Sequence, residues 1–323
     1  MASTNPSQTA QQDWTRTAVP DAAPFAPFFR AALAVAREAG AIIKAAFEDG
    51  QAPPNPNIKD ANDVDLVTAT DQAVEALIQS RLRDAFPDYA FIGEETVAAN
   101  NGQAPPLTAR PTIICDPVDG TTNFVHGFPF VCTALALVVD HTPIVGIVYN
   151  PILDQLYVAH KGYGAWCNGQ SLPRHRAAHA MDARATLFIT EGGHDRSPIA
   201  MDAKIGTWRH ALAADGKYPP VRGIRCTGSG ALNLCMIARG AADVYWEVGL
   251  HAWDMAAAAV IVTEAGGMVV GDEALDADRR TTWDPQATPF DVMGRKAMAI
   301  RKRDVAFMRE TIERVIDYPC PRD

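Results

Sequence analysis

A helix without a polar face cannot lie on a protein surface, and the run from Asp254 to Ala265 (DMAAAAVIVTEA) spells such a helix. It is apolar on nearly all sides and stops at Gly266-Gly267, so it belongs in the interior. The chain is large enough to bury it: 323 residues, 48% of them hydrophobic, suffice for one large domain or two halves. The first residue of this buried helix is a carboxylate. Asp254 reads either as an N-terminal capping acid or as a metal ligand whose charged form the helix N-terminus favours.

A second stretch repeats the theme. Thr112 to Phe130 reads TIICDPVDGTTNFVHGFPF. The apolar run Ile113-Ile114-Cys115 ends in Asp116, and Asp119 follows before the turn and helix-start residues Gly120 to Asn123. The pattern predicts a buried strand that carries two carboxylates to its end and then turns into a helix N-terminus. Carboxylates hold hard cations and free backbone N–H groups hold anions, so the stretch suits metal-assisted phosphate chemistry. Another short strand, Tyr89 to Gly93, ends in Glu94-Glu95. Two strands ending in acids at Glu94 and Asp116 would set like charges side by side, where they raise one another's pKa unless a cation sits between them.

Around these stretches the first half reads as α+β. Residues 1–23, rich in Ser, Thr, Gln, Asn, Pro and Ala, are expected to form a disordered tail. Phe28–Phe47 is an amphipathic helix, and 49–61 a proline-bearing loop. Thr68 to Asp71 opens a helix that runs to about Phe86, with Asp71 in its first turn. Runs at Val131–Val139, Pro143–Tyr149, Gln155–Ala159 and Ala165-Trp166 follow without long helices, which predicts an antiparallel sheet. This half spans 24–184. The other, 185–323, alternates strands and helices in an α/β manner. Its strands fall at Ala185–Thr190, Val221–Cys226, Ala242–Glu247, Met268–Val270 and Ala297–Ile300. Its further helices fall within 195–216, at Ala231–Ala238 and at Asp304–Ile316, and 271–288 reads as an exposed loop.

Composition narrows the partners. A net charge of −9 argues against a general nucleic-acid or anionic-membrane surface. Six cysteines without a C-x-x-C pair suit a reduced, intracellular protein. No apolar run approaches the ~20 residues of a membrane span, and no signal-peptide core opens the chain. Cys115 reads as an inert buried thiol, His126 as a packed or hydrogen-bonded histidine, and His251 as a residue that orients the Asp254 loop. Thr227-Gly228-Ser229-Gly230 forms no complete phosphate-binding fingerprint.

Glu94-Glu95, D-P-V-D-G-T-T at 116–122, W-D-M-A-A-A at 253–258 and T-E-A-G-G at 263–267 together resemble the inositol monophosphatase family of the Mg2+-dependent, lithium-sensitive phosphatases. The stretches VDLVTATDQ (64–72) and TTNFVHGFPF (121–130) look like its animal-type members. The resemblance runs from about Pro27 to Met308. It implies a layered αβαβα sandwich with the active site between the two halves. It implies metal ligands at Glu94, Asp116, Asp119, Asp254 and the carbonyl of Val118, holding two to three Mg2+. It implies that Asp71 and Thr121 polarise a water, that the N–H groups of Gly120, Thr121 and Thr122 meet phosphate, and that Glu247 accepts a substrate hydroxyl. Ser229 and Gly230 would line the pocket. The implied activity is hydrolysis of myo-inositol monophosphate or a similar polyol phosphate by a cytoplasmic homodimer. Alternatives are another phosphatase of the superfamily, acting on a nucleotide 3′-phosphate, histidinol phosphate, an inositol polyphosphate or a quinate-pathway relative, or a non-catalytic regulatory protein. Two departures stand out: Lys59 lies six residues before Asp65 instead of five, and the family's T-E-L-G-S is T-E-G-G-H here, ending at His194.

Overall fold

The computed structural model describes residues 18–49, 57–58, 66–173, 179–214, 216–285 and 288–320. Two helices form the first layer. Helix α1, Ala26–Glu48, buries Phe29, Ala32, Leu33, Ala36, Ala39 and Ile43 at three- and four-residue steps. Helix α2, Ala69–Ala85, buries Val74, Ile78 and Leu82, and Thr68 caps it by accepting the N–H of Thr70. Asn57–Ile58 (β1) pairs antiparallel with Leu66–Val67 (β2).

The second layer is a seven-stranded sheet built from β3 (Ala90–Gly93), β4 (Thr112–Asp119), β5 (Cys132–Val139), β6 (Thr142–Asn150), β7 (Gln155–His160), β8 (Gly164–Cys167) and β9 (Gln170–Ser171). The strands lie in chain order; β3 and β4 are parallel and the rest antiparallel. Side chains alternate across it with the period of two that strands impose. Cys115, Leu135, Leu137, Ile147 and Val158 pack on the side of α1 and α2. Ile114, Ala134, Ala136, Val148 and Tyr157 face the other way.

On that other face lie α6 (Gly230–Arg239) and α7 (Ala252–Glu264), and beyond them a five-stranded sheet. It consists of β10 (Leu187–Thr190), β11 (Gly223–Arg225), β12 (Val244–Val248), β13 (Met268–Val270) and β14 (Lys296–Ile300), in the order β11-β10-β12-β14-β13. Strands β11, β10 and β12 are parallel, whereas β14 runs antiparallel to β12 and β13. Its outer face is covered by α5 (Pro198–Leu212), α8 (Asp272–Leu275) and α9 (Val305–Arg314). The layers therefore run αβαβα, as the resemblance implies, and α7 is buried along its length between the sheets. It comes close to the large sheet because that sheet offers Ala134, Ala136 and Gly146; a methyl built on Gly146 would overlap the Ala257 carbonyl. No helix among the described residues is long and apolar enough to cross a membrane.

Several expectations need correction. Residues 18–23 are not loose: Ala18, Val19 and Ala23 are buried in the α1 core, and Arg30 donates to the Val19 carbonyl. Polar composition hid these few anchoring apolar residues. The stretch expected as an exposed loop, 271–288, contains α8 and buries Ala274, Leu275 and Trp283 against the small sheet. Its Asp272 is also buried and accepts the N–H groups of Arg295 and Lys296, each at 2.9 Å. Glu94 and Glu95, at the end of β3 as expected, also open a short helix, α3 (Glu94–Ala99). His126 is exposed rather than packed. Residues 1–17, Lys59 and Asp65 lie outside the described residues.

Candidate active site

The site forms where β4 ends and α7 begins. Carboxylate oxygens of Asp116, Asp119 and Asp254 all lie within 4.8 Å of one another. Three acids this close, two of them buried and Asp254 half-buried, repel strongly. Burial first, then the charges of Glu94, Asp119 and Asp254, pushes the Asp116 carboxyl well above its ordinary range. Asp254 is pushed up to about 7 by burial and by Asp119. Burial also raises Asp119, although its hydrogen bonds oppose the shift.

The three acids differ in how the protein satisfies them. Asp119 is held at the N-terminus of α6: it accepts the Ser229 hydroxyl at 2.5 Å and the N–H groups of Gly230 and Ala231 at 3.2 and 2.9 Å. The Cys132 thiol lies 3.5 Å from it. Asp254 accepts the N–H of His251 at 2.7 Å. The His251 ring stacks on Trp253 and meets Arg295, which also donates to the Leu250 and Gly249 carbonyls and so fixes the turn before α7. Asp116 Oδ1 is different. It is buried and has no hydrogen-bond partner. A buried, unpartnered carboxylate oxygen facing two further acids fits a hard divalent cation, which prefers oxygen ligands.

Glu94 lies beside this trio rather than within it. In the parallel β3–β4 ladder Gly93 pairs with Cys115, so Glu94 leaves the end of β3 next to Asp116, which stays in the sheet opposite Ala134 of β5. Helix α2 sets this corner. Glu75, which is buried, accepts the N–H groups of Glu95 at 2.8 Å and Thr96 at 2.7 Å, capping α3.

Asp71 and Thr121 also meet. The Thr121 hydroxyl lies 3.2 Å from Asp71 Oδ1 and 3.0 Å from the Val118 carbonyl. Asp71 Oδ2 accepts the Thr68 N–H at 3.0 Å and the Thr68 hydroxyl. Burial, opposed by those Thr68 bonds, brings its carboxyl up to about 6. Gly120 adopts φ +90°, where a side chain would meet the Phe130 carbonyl, and this lets the chain turn sharply from β4 into α4 (Thr121–His126). The first N–H groups of a helix have no partner within it, and here they belong to Thr121 and Thr122.

Beyond the acids, the Thr227–Ala231 segment bridges the two sheets. Asn123 donates to the Thr227 carbonyl at 2.7 Å. Ser229, expected at a substrate, is buried; its hydroxyl donates to Asp119 and caps α6 at Leu232. Gly230 sits at the junction, where an added methyl would lie 3.4 Å from Cβ of Asp254 and 3.6 Å from the Tyr245 hydroxyl. Tyr245 donates to Glu247, whose carboxyl is brought up to about 8 by burial and by the charge of Glu191. Sequence reasoning gave no role to Glu75, one helical turn from Asp71, or to Glu191, which lies inside the T-E-G-G-H segment already singled out.

The chain is similar to characterised proteins along nearly its whole length. A family model described as the inositol monophosphatase family matches residues 26–299. Inositol monophosphatase 1 of Bos taurus is 40% identical over 293 residues, covering 90% of this chain and 95% of the relative. Inositol monophosphatase 2 of Solanum lycopersicum is 41% identical over 273 residues, covering 84% and 92%. Among solved structures, the extragenic suppressor protein suhB of Bartonella henselae superposes with a TM-score of 0.69 at 27% identity, covering 90% of this chain and 98% of its own. The inositol monophosphatase of Anabaena (Nostoc) sp. PCC 7120 gives 0.69 at 25% identity, covering 90% and 96%.

Proposed function

The chain belongs to the inositol monophosphatase family and is a phosphoric monoester hydrolase, and on that premise we propose that it hydrolyses myo-inositol monophosphate or a similar polyol phosphate with Mg2+ as cofactor. One observation carries this reading: Asp116 Oδ1 is buried without a partner against Asp119 and Asp254, one turn of chain from a hydroxyl–carboxylate pair. Glu94, Asp116, Asp119, Asp254 and the Val118 carbonyl would hold two to three Mg2+, which supply positive charge to activate a water and to neutralise the departing oxygen.

The chain's own groups do the rest. The N–H groups of Gly120, Thr121 and Thr122 hold the phosphate oxygens. The Thr121 hydroxyl donates to Asp71, which leaves a lone pair to orient the attacking water. As the water oxygen bonds to phosphorus and the ester P–O bond breaks, a proton of the water passes through Thr121 to Asp71, and the departing alkoxide oxygen takes a proton from solvent water. A carboxyl near 6 is placed to work as a base close to neutral pH. No protein nucleophile takes part. Glu247 accepts a hydroxyl of the substrate, and Gly230 leaves room beside it. Assembly as a homodimer in the cytoplasm and inhibition by lithium belong to the same reading.

The test is a phosphate-release screen with Mg2+ over inositol, sugar, nucleotide and histidinol phosphates. Turnover should be highest on inositol monophosphate, lost in EDTA and abolished by Asp119→Asn. Full activity in EDTA would sink the metal assignment. Absence of turnover on every phosphomonoester would favour a regulatory relative.

A further inference from the structure

The small sheet places a second carboxylate beside Glu247. Strands β10 and β12 are adjacent and parallel, with Ile189 opposite Tyr245 and Thr190 opposite Trp246. One residue further, the register brings Glu191 next to Glu247 at the C-terminal ends of both strands. Parallel strands in α/β sheets present ligand sites at these ends. Both acids lie on the inner face, since Ile189 and Tyr245, two residues earlier on each strand, belong to the core between the sheets.

Each carboxylate has one oxygen occupied. Glu191 Oε1 accepts three N–H groups: Thr227 at 2.7 Å, Gly228 at 2.9 Å and Asn233 Nδ2 at 2.8 Å. Glu247 Oε2 accepts the Tyr245 hydroxyl. Among the described residues, Glu191 Oε2 and Glu247 Oε1 make no hydrogen bond. The two charges feel each other, since Glu191 follows burial as the cause that raises Glu247. Two cations lie nearby, Arg196, whose guanidinium packs against Gly192, and Lys204. Lys204 is 2% exposed, its ammonium donates to the Gly192 carbonyl at 2.8 Å, and its strongest charged partner is Glu247.

We propose that Glu191 is a specificity-determining residue whose second oxygen, paired with that of Glu247, accepts two neighbouring hydroxyls of an otherwise uncharged polyol phosphate. This rests on the polyol-phosphate reading above. Two acceptor oxygens on adjacent strands match a vicinal diol, in which each hydroxyl donates one proton.

Glu191→Gln separates this role from loop support, because the amide oxygen of Gln can still accept the three N–H groups while its NH2 replaces the free oxygen. Steady-state kinetics are compared for myo-inositol 1-phosphate and phenyl phosphate, which has no other hydroxyl. A hydrogen bond to a charged acceptor contributes roughly tenfold or more in binding. The variant should therefore lower the inositol-to-phenyl ratio of kcat/KM by about tenfold, with the loss in the KM for the inositol substrate. A loss shared equally by both substrates would mean that Glu191 only holds the loop, and would overturn the inference. The wild-type enzyme gives a second reading that needs no variant: among deoxy analogues of inositol 1-phosphate, removal of either of two adjacent hydroxyls should raise KM about tenfold. Sensitivity to no hydroxyl, or to a single one, overturns the paired acceptor. A wild-type enzyme with no preference for inositol 1-phosphate over phenyl phosphate overturns the polyol reading itself, whereas a preference that Glu191→Gln leaves intact overturns this inference alone.

Discussion

Replacing Asp254 by Asn should make the metal-free protein more stable, although it removes a proposed ligand. In the folded state the Asp254 carboxyl is raised from 3.8 to about 7, by burial and by Asp119. At ~1.36 kcal/mol per pH unit, the charged folded form is disfavoured by about 4 kcal/mol. The sign follows from proton counting. Between pH 3.8 and about 7 the folded protein keeps a proton that the unfolded chain releases, so stability falls as pH rises through that window and stays low above it. Asn carries no charge and can still accept the His251 N–H through its amide oxygen. In EDTA at pH 8, Asp254→Asn should therefore gain about 2–4 kcal/mol, the lower bound allowing for the desolvated amide. At pH 5 the gain should shrink below about 2 kcal/mol, because little of the charge penalty is then expressed. With a urea m-value near ~3 kcal/mol/M, the pH 8 midpoint moves up by roughly 1 M. Added Mg2+ should reverse the order, stabilising wild type and leaving the variant nearly unmoved. Urea titrations followed by circular dichroism, with and without Mg2+, make the measurement. A variant less stable than wild type in EDTA at pH 8 would refute the reasoning, since the trio would then not be a store of repulsion.

The opposite sign is expected at Asp243, a buried acid with a buried partner. Arg301 donates to it at 2.5 Å, and Asp243→Asn should cost ~3–5 kcal/mol in urea unfolding whether or not Mg2+ is present. Asp71→Asn should lower kcat by ~10²–10⁴ with KM little changed, while circular dichroism stays native because Asn can still accept the Thr68 N–H; a loss below tenfold would remove Asp71 from proton transfer. Gly146→Ala should push α7 off the large sheet, costing ~1–3 kcal/mol in thermal or urea unfolding and lowering kcat through Asp254; unchanged stability and rate would show that the layers are not in close contact there.

What the sequence disclosed, and what it hid, follows the reach of each signal. Near-continuous apolar runs such as Cys132–Val139 and Thr142–Asn150 report strands, and both lie in a sheet covered on two faces. The apolar girth of α7 reports burial directly. Short elements carry too few residues for a period: α3 and α8 span six and four residues. The acids that close around Asp116 were each visible at an element end, but only the fold shows that Asp116 Oδ1 lacks a partner while Asp119 has several. Ser229 read as a pocket residue because its place along the chain says nothing about where a hydroxyl donates. Glu191 was passed over because its significance lies in a strand register with Glu247, fifty-odd residues away in the chain, and in three N–H groups from another segment.

The Thr227–Ala231 segment gives its first N–H groups to Glu191 and its last to Asp119, with no slack between them. A proposed cation ligand and a proposed hydroxyl acceptor thus share one short piece of backbone. Binding at one end should alter affinity at the other, and thermodynamic reciprocity requires the factor to be the same in both directions. An inhibitor that occupies only the polyol end would then report the metal concentration through its own dissociation constant. Titrating such a compound at several Mg2+ levels would measure the coupling without any turnover.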